Sequence, residues 1–270
     1  MKGYLIYRNE DYNKNKWFAN HIIEIFSNNN IYVELLIYEH IKLVCNNNLS
    51  IIYKDKLLNK YDFVINRSRD YLVTYHFELL NYKVFNNSNV VRIANDKFLS
   101  HQLCNSVGVN SLDTQIYSLN NEYIYPICIK KRDGYGGNNV YLINNKNELL
   151  DYNNYIVQPY NSNIIGDIRT YIINNNIVGS IIRTKNNDFR TNVSLGANVE
   201  LYNIDNKLEI LINKILETNH YDFVGIDFLI DNNNELYFNE IEDVVGCRSL
   251  YDKSDIDIVI LLVDYIKNNI

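Results

Sequence analysis

The sequence predicts a mixed α/β (α+β) fold of three lobes. Three observations carry that reading: a strand–helix–strand beginning, short central strands around a glycine-rich turn, and two long β-hairpins near the end. In the first section, β-rich runs at 2–8, 31–38 and 63–67 alternate with 14–27 and 71–85, which are long enough for helices. Residues 1–94 therefore form a small N-terminal α/β lobe. A helix follows over 95–108, with Asn95 or Asp96 as its cap and Gly108 as its stop. It opens a central lobe, residues 95–160, with strands at 127–131, 140–143 and 155–158. The C-terminal α+β lobe, residues 161–270, holds hairpins over 168–184 and 224–242, each turning on asparagines, and helices near 206–219 and 255–268. Only two prolines occur and no Pro- and Gly-rich linker separates the lobes, so they should pack as one body.

Composition excludes several classes of function. A chain of 270 residues, 47% of them hydrophobic, can bury a full-sized core, so the asparagine runs at 28–30 and 46–48 read as polar turns rather than disorder. The formal charge of -6 argues against a surface built to neutralise a phosphate backbone, and nucleic acid is not expected as a partner. Cys45, Cys104, Cys128 and Cys247 lack CxxC spacing and read as free thiols of a reducing compartment. The first eight residues read as a strand rather than a signal peptide, and the apolar stretch near 256–266 is broken by Asp257 and Asp264. The expectation is a cytoplasmic protein with no membrane partner.

The most informative segment runs from Gly225 to Glu242. If Asn233 and Asn234 form a two-residue turn, Asp227 lies opposite Glu240, and Glu242 shares their face. Three carboxylates on one patch repel each other, which a divalent cation between them would reconcile. Oxygen-only ligands suit Mg2+ or Mn2+, with nucleotide phosphates completing the shell. A solvated acidic face is the plain alternative. Against it, Val224, Ile226, Phe228, Leu236, Phe238 and Ile241 make both strands too apolar for an exposed ribbon.

Lys130 ends an apolar strand and is followed by Gly134-Tyr135-Gly136-Gly137. Such a turn can lay backbone N–H groups over phosphates while the lysine supplies a point charge, with a simple hairpin turn as the equal alternative. It is neither a Walker A loop nor a dinucleotide fingerprint, since no Gly-Lys-Ser/Thr follows and no helix opens there. Arg169, Arg183 and Arg190, near Asp167 and Asn192, read either as an anion site or as surface ion pairs. Arg67 and Arg69, just after a predicted strand, either clamp an anionic substrate or make strand-end ion pairs. The five histidines read as structural or surface groups.

An ordered series of segments resembles the ATP-grasp superfamily, specifically its RimK-like branch of carboxylate–amine ligases. The series begins with Asn95-Asp96-Lys97, Ile129-Lys130 with the glycine-rich turn, Val157-Gln158-Pro159-Tyr160 and Gly166-Asp167-Ile168-Arg169. It continues with Arg183 leading to Asp188-Phe189-Arg190-Thr191-Asn192, then Gly225-Ile226-Asp227 and Asn239-Glu240-Ile241-Glu242. The resemblance implies an ATP-grasp fold in which the central lobe is a nucleotide lid. It implies Lys97 and Lys130 on ATP phosphates, Gly136 and Gly137 in the lid, and a Gln158-Pro159-Tyr160 hinge that reads adenine. Asp167 would hold the ribose, and Arg190, Thr191 and Asn192 would line the triphosphate side. Asp227, Glu240 and Glu242 would ligate one or two Mg2+ ions, with Mn2+ as the substitute. Arg183 would face an acyl phosphate that forms from a substrate carboxylate and is displaced by an amine, with Arg190 as the second catalytic group.

Two positions depart from the RimK-like pattern: Glu242 stands where Asn is usual, and Pro159 where an acidic residue is common. The partners implied are small-molecule or peptide carboxylate and amine substrates, and a homo-oligomer, because many relatives pair. Two alternatives accompany the ligase reading. One is an ATP-binding regulator or scaffold without turnover, motivated by Glu242; the other is a ligase that tailors a ribosomal precursor peptide.

Overall fold

The computed structural model describes residues 1–137, 139–184 and 198–270. Within them the chain forms four sheets. The N-terminal sheet is all parallel, with Lys2–Tyr7 between Tyr32–Ile37 and Phe63–Arg67, and Lys83–Phe85 at the far edge. Its central strand is covered on both faces, so Tyr4, Leu5, Ile6 and Tyr7 form an unbroken buried run. The helix expected over 71–85 ends at Leu79. Asn81, at φ 57°, turns the chain back so that Val84 and Phe85 pair with Val64 and Ile65 as a strand. A small antiparallel sheet, Ile41–Cys45, Leu49–Tyr53 and Lys56–Leu57, was not anticipated.

The central strands fall where their alternation places them: Ile127–Lys131, Val140–Ile143 and Tyr155–Pro159 form an antiparallel sheet with the short strand Gln115–Ile116. Tyr117, Ile127, Ile129, Ile143 and Val157 are the buried residues of its small separate core.

The C-terminal sheet has five strands in the order Asn198–Leu201, Asn176–Thr184, Ile164–Ile173, Phe223–Asp231, Leu236–Glu242. Alternation along its central strand divides two cores. Tyr171 and Ile173 pack with the N-terminal sheet and the helices Lys16–Asn28 and Ile258–Lys267. Ile168 and Ile172 pack with Ser88–Ala94, Asn206–Leu216 and Cys104 of the helix Lys97–Ser106. That last helix is capped by the Asp96 carboxylate, which accepts from the N–H groups of Phe98 and Leu99, and Gly108 follows it at φ 72°. Sequence placed it at the start of the central lobe, yet its buried face belongs to the C-terminal sheet. Lys97 is thereby held on the same body as the acidic hairpin.

The two hairpins turn differently. Asn174 and Asn175 both take positive φ, 52° and 53°, as a two-residue turn joining Ile173 to Asn176 requires. The acidic hairpin instead uses three loop residues. Asp231 N–H donates to Glu235 O, Asn234 N–H donates to Asp231 O, and only Asn234 has positive φ. That extra residue slips the register by one, pairing Phe228 with Phe238, and a bulge beyond it restores the alignment, so Asp227 lies opposite Glu240. The expected pairing is present, reached through a different turn and a compensating bulge.

Candidate active site

Period-two alternation sets Asp167 and Arg169, Arg183, Asp227, Glu240 and Glu242 on one face of the C-terminal sheet. The cross-strand partners are Asp167 with Arg183, Arg169 with Asp227, and Asp227 with Glu240. Asp227 is completely buried. Arg169 grips it bidentately, Nε–Oδ1 2.8 Å and Nη2–Oδ2 2.6 Å, and Arg183 adds Nη2–Oδ2 at 2.8 Å. Arg169 Nη1 also reaches Glu242 Oε2 at 2.8 Å. Arg183 pairs with Asp167 through both nitrogens of its fork, the Nε bond measuring 3.0 Å. From the capped helix, Lys97 Nζ reaches Glu240 Oε2 at 2.7 Å and donates to Gly134 O at 2.6 Å. Lys130 Nζ donates to Asn239 Oδ1 at 3.0 Å.

Carboxylate oxygens of Asp227, Glu240 and Glu242 lie within 4.8 Å of one another, close enough to share one cation. The reason they tolerate each other differs from the expected one. Asp227 and Glu242 face Arg169, Arg183 also reaches Asp227, and Glu240 faces Lys97, so the chain's own cations offset the repulsion. Burial pushes the Asp227 carboxyl up, but Arg169 and Arg183 outweigh it and hold the group below the usual carboxylate range. Burial likewise acts on Glu240, where Lys97 prevails and the net direction is down. For Glu242 burial prevails over Arg169, aided by the charges of Glu240 and Asp227, and the group is raised. Burial lowers the Lys130 ammonium, with the Lys97 charge acting in the same direction.

A cleft of about 900 Å³ lies over this face, between it and the central sheet. Lys97, Lys130, Gly136 and Gly137 line it, as do Gln158, Pro159 and Tyr160, and Asp167, Arg183 and Glu240 reach it from the C-terminal sheet. Gly136 and Gly137 take φ 66° and 74°, a conformation that favours glycine. Tyr160 N–H donates to Pro126 O, pinning the segment after Pro159 to the central sheet. Gln158 is buried, donates to Thr114 Oγ1 at 2.8 Å, and has no partner for its Oε1 among the described residues. Beside it, His101 is lowered to about 3 by burial and then by the Lys130 and Lys97 charges, so it stays neutral and packs edge-on to Phe238.

Asp167, expected at a ribose, directs both oxygens to Arg183 and so fixes that guanidinium rather than presenting a free carboxylate. Arg67, offered as a substrate clamp, is buried. It donates to Val245 O at 3.0 Å and lies over the rings of Tyr7, Phe18 and Phe223 at 5.1–5.7 Å, so it joins the N- and C-terminal halves instead. Arg190, Thr191 and Asn192 lie outside the described residues. Sequence reasoning did not single out Arg169 as the partner of Asp227 and Glu242. Its spacing of two from Asp167, which puts both side chains on one face of their strand, was the available signal.

The RimK-like ATP-grasp domain matches residues 94–266. An uncharacterised protein of Mycoplasma pneumoniae is 31% identical over 264 residues, covering 92% of this chain and 86% of its own. A glutamate–LysW ligase of Sulfurisphaera tokodaii is 28% identical over 240 residues, 80% of this chain and 85% of its own. Among solved structures, the ATP-grasp ligase PsnB complexed with minimal precursor has a TM-score of 0.72 over 99% of both chains at 13% identity, a likeness of fold. No helix among the described residues is long and apolar enough to cross a membrane. The chain belongs to the RimK-like ATP-grasp family of ATP-dependent carboxylate–amine ligases.

Proposed function

We propose that the cleft between the central and C-terminal sheets is where this ligase holds ATP, and that Asp227, Glu240 and Glu242 hold Mg2+, or Mn2+ in its place. The observation that carries this reading is the convergence of Lys97, Lys130, Arg183 and Glu240 on a single cleft, with carboxylate oxygens of Asp227 and Glu242 within 4.8 Å of that of Glu240. Three oxygen donors of this kind fit a hard divalent cation, and Glu242, which Arg169 meets through Oε2 among the described residues, keeps coordination capacity. When bound, the cation supplies charge neutralisation to phosphate oxygens.

The chain's residues account for the rest. Lys97 and Lys130 offer two ammonium groups to a phosphate tail, and Gly136 and Gly137 let the lid backbone approach it. Gln158, Pro159 and Tyr160 form the wall for the base. Arg183, held in orientation by Asp167, meets the negative charge that develops as a substrate carboxylate is phosphorylated and then attacked by an amine. Arg190, Thr191 and Asn192 remain assigned to the triphosphate side by resemblance. Glu242 in place of Asn adds a negative charge, and Arg169 at 2.8 Å offsets it, which favours a working site over an inactive scaffold.

The test is ATP-dependent phosphate release across a panel of acids and amines, with and without Mg2+. Release that requires the cation and is lost in Glu240→Gln is the expected result. Metal-independent release, or full activity in that variant, rejects the assignment.

A further inference from the structure

The two lysines assigned to the ATP phosphates stand on different bodies. Lys97 opens a helix packed on the C-terminal sheet, and Lys130 sits on a strand of the central sheet. Their spacing is therefore set by whatever joins the two bodies beside them. Arg132 joins them twice, by backbone and by side chain. Its carbonyl accepts from the Lys97 N–H at 3.0 Å, and its own N–H donates to Asn154 O at 3.0 Å. The second bond extends the pairing of the strand Ile127–Lys131 with Tyr155–Pro159 by one residue. The Arg132 backbone thus reaches the helix on one side and the central sheet on the other.

The side chain repeats the link. Arg132 Nε donates to Asp96 Oδ1 at 3.1 Å and Nη2 donates to Asp96 Oδ2, a two-point fork that fixes orientation as well as distance. Asp96 is itself held in place, since its Oδ1 also accepts from the N–H groups of Phe98 at 3.0 Å and Leu99 at 3.3 Å as the helix cap. The two side chains are 28% and 21% exposed, so water weakens this pair less than it weakens an ion pair on the open surface. Alternation along the strand puts Arg132 on the side of Lys130, whose ammonium donates to Asn239 Oδ1 at 3.0 Å. Lys131, between them, pairs instead with Asp133 at 3.3 Å. The strand therefore meets the C-terminal body through two side chains two residues apart. One contact would leave it free to pivot about Lys130; a second, bidentate contact removes that freedom. Arg132 lies between two of the segments that carry the family resemblance and in neither of them.

We propose that Arg132 is a positioning residue of this ligase: by clamping Asp96 it holds Lys97 and Lys130 at the spacing that one triphosphate tail requires. The proposal rests on the reading that both lysines meet ATP phosphates, and the test keeps the two apart. The full chain and its variants are titrated calorimetrically with the non-hydrolysable analogue AMPPNP in the presence of Mg2+, with urea melts alongside. Arg132→Met is expected to weaken AMPPNP binding roughly tenfold, and Asp96→Asn, whose amide oxygen keeps the helix cap, to a similar extent. The double variant Asp96→Asn, Arg132→Met should bind no more weakly than either single variant. Arg132→Lys keeps the charge without the fork and should recover part of the loss. The decisive comparison is with Lys97→Met. Adding Arg132→Met to that variant should cost less than roughly threefold further, because one of the two groups being spaced is gone. A merely structural role would instead lower the urea midpoint and add its full loss in the Lys97→Met background. That additivity, a double variant weaker than both singles, or unchanged affinity in Arg132→Met overturns the proposal. If neither Lys97→Met nor Lys130→Met weakens AMPPNP, the nucleotide reading falls and takes this one with it. If both do and Arg132→Met does not, only the positioning role falls.

Discussion

Lys97 Nζ stands 2.7 Å from Glu240 Oε2, so the first residue of a capped helix neutralises a carboxylate on a strand 143 positions later. The same ammonium donates to Gly134 O, which ties the glycine-rich loop to that pair. One side chain therefore couples the loop over the proposed nucleotide cleft to the proposed metal ligands. Replacing it with Met should raise the ATP KM by roughly tenfold or more, the cost of a lost charge-assisted contact. An unchanged ATP KM would show that the ammonium does not meet the nucleotide.

Glu242→Asn restores the residue usual in the family and removes one of three negative charges. Turnover should persist, with the Mg2+ concentration for half-maximal rate rising by roughly threefold to tenfold as the site loses charge. A metal titration of both forms reads this directly. An identical titration curve would place Glu242 outside the metal shell.

Asp227→Ala leaves Arg169 and Arg183 facing a buried void. Removing one partner from a buried ion network costs about 3–5 kcal/mol, so urea midpoints should fall accordingly. A loss under about 1 kcal/mol would mean that Asp167 and Glu242 suffice to hold the two arginines.

Arg67→Ala should destabilise the fold by about 2–4 kcal/mol, since the guanidinium is buried against three rings and Val245 O. Substrate KM, corrected for the folded fraction, should not move. A selective rise in that KM would return Arg67 to the substrate site.

Asp257 caps the helix Ile258–Lys267 and accepts from the Tyr251 hydroxyl and His21, across the join of the two halves of the chain. Burial pushes its carboxyl up, but these partners prevail and hold it below its ordinary value. A group depressed in the folded state stabilises above its unfolded pKa, about 3.9, and loses that contribution as pH falls through the folded value. Stability should therefore decline more steeply below about pH 4 in the wild type than in Asp257→Asn, which keeps a capping side chain. Parallel acid limbs in urea melts between about pH 2 and 6 would exclude this role.

Much of the site was legible because it obeys short-range rules. The acidic hairpin is an example: alternation puts residues 240 and 242 on one face, the asparagine turn brings 227 near them, and the apolar residues between show that the ribbon is covered, although the bulge that completes the alignment has no mark in the sequence. The helix over Lys97–Ser106 announced itself by its Asp96 cap and Gly108 stop. Even there, the turn was misjudged by one residue. The number of loop residues depends on which asparagine takes positive φ, and Asn232, Asn233 and Asn234 are chemically alike.

What residue order established was the strands, the caps, the glycine-rich turn and the set of charged groups available to a nucleotide and a metal. Which charge meets which was settled by chain topology, because Coulomb attraction acts through space while sequence records only separation along the chain. Arg67 and Arg69 are two positions apart, yet one is sealed among three aromatic rings and the other pairs with Asp11 and lies over the Tyr135 ring. The pairing of Arg169 with Asp227, and of Lys97 with Glu240, exists only once the strands and the capped helix have packed on one another.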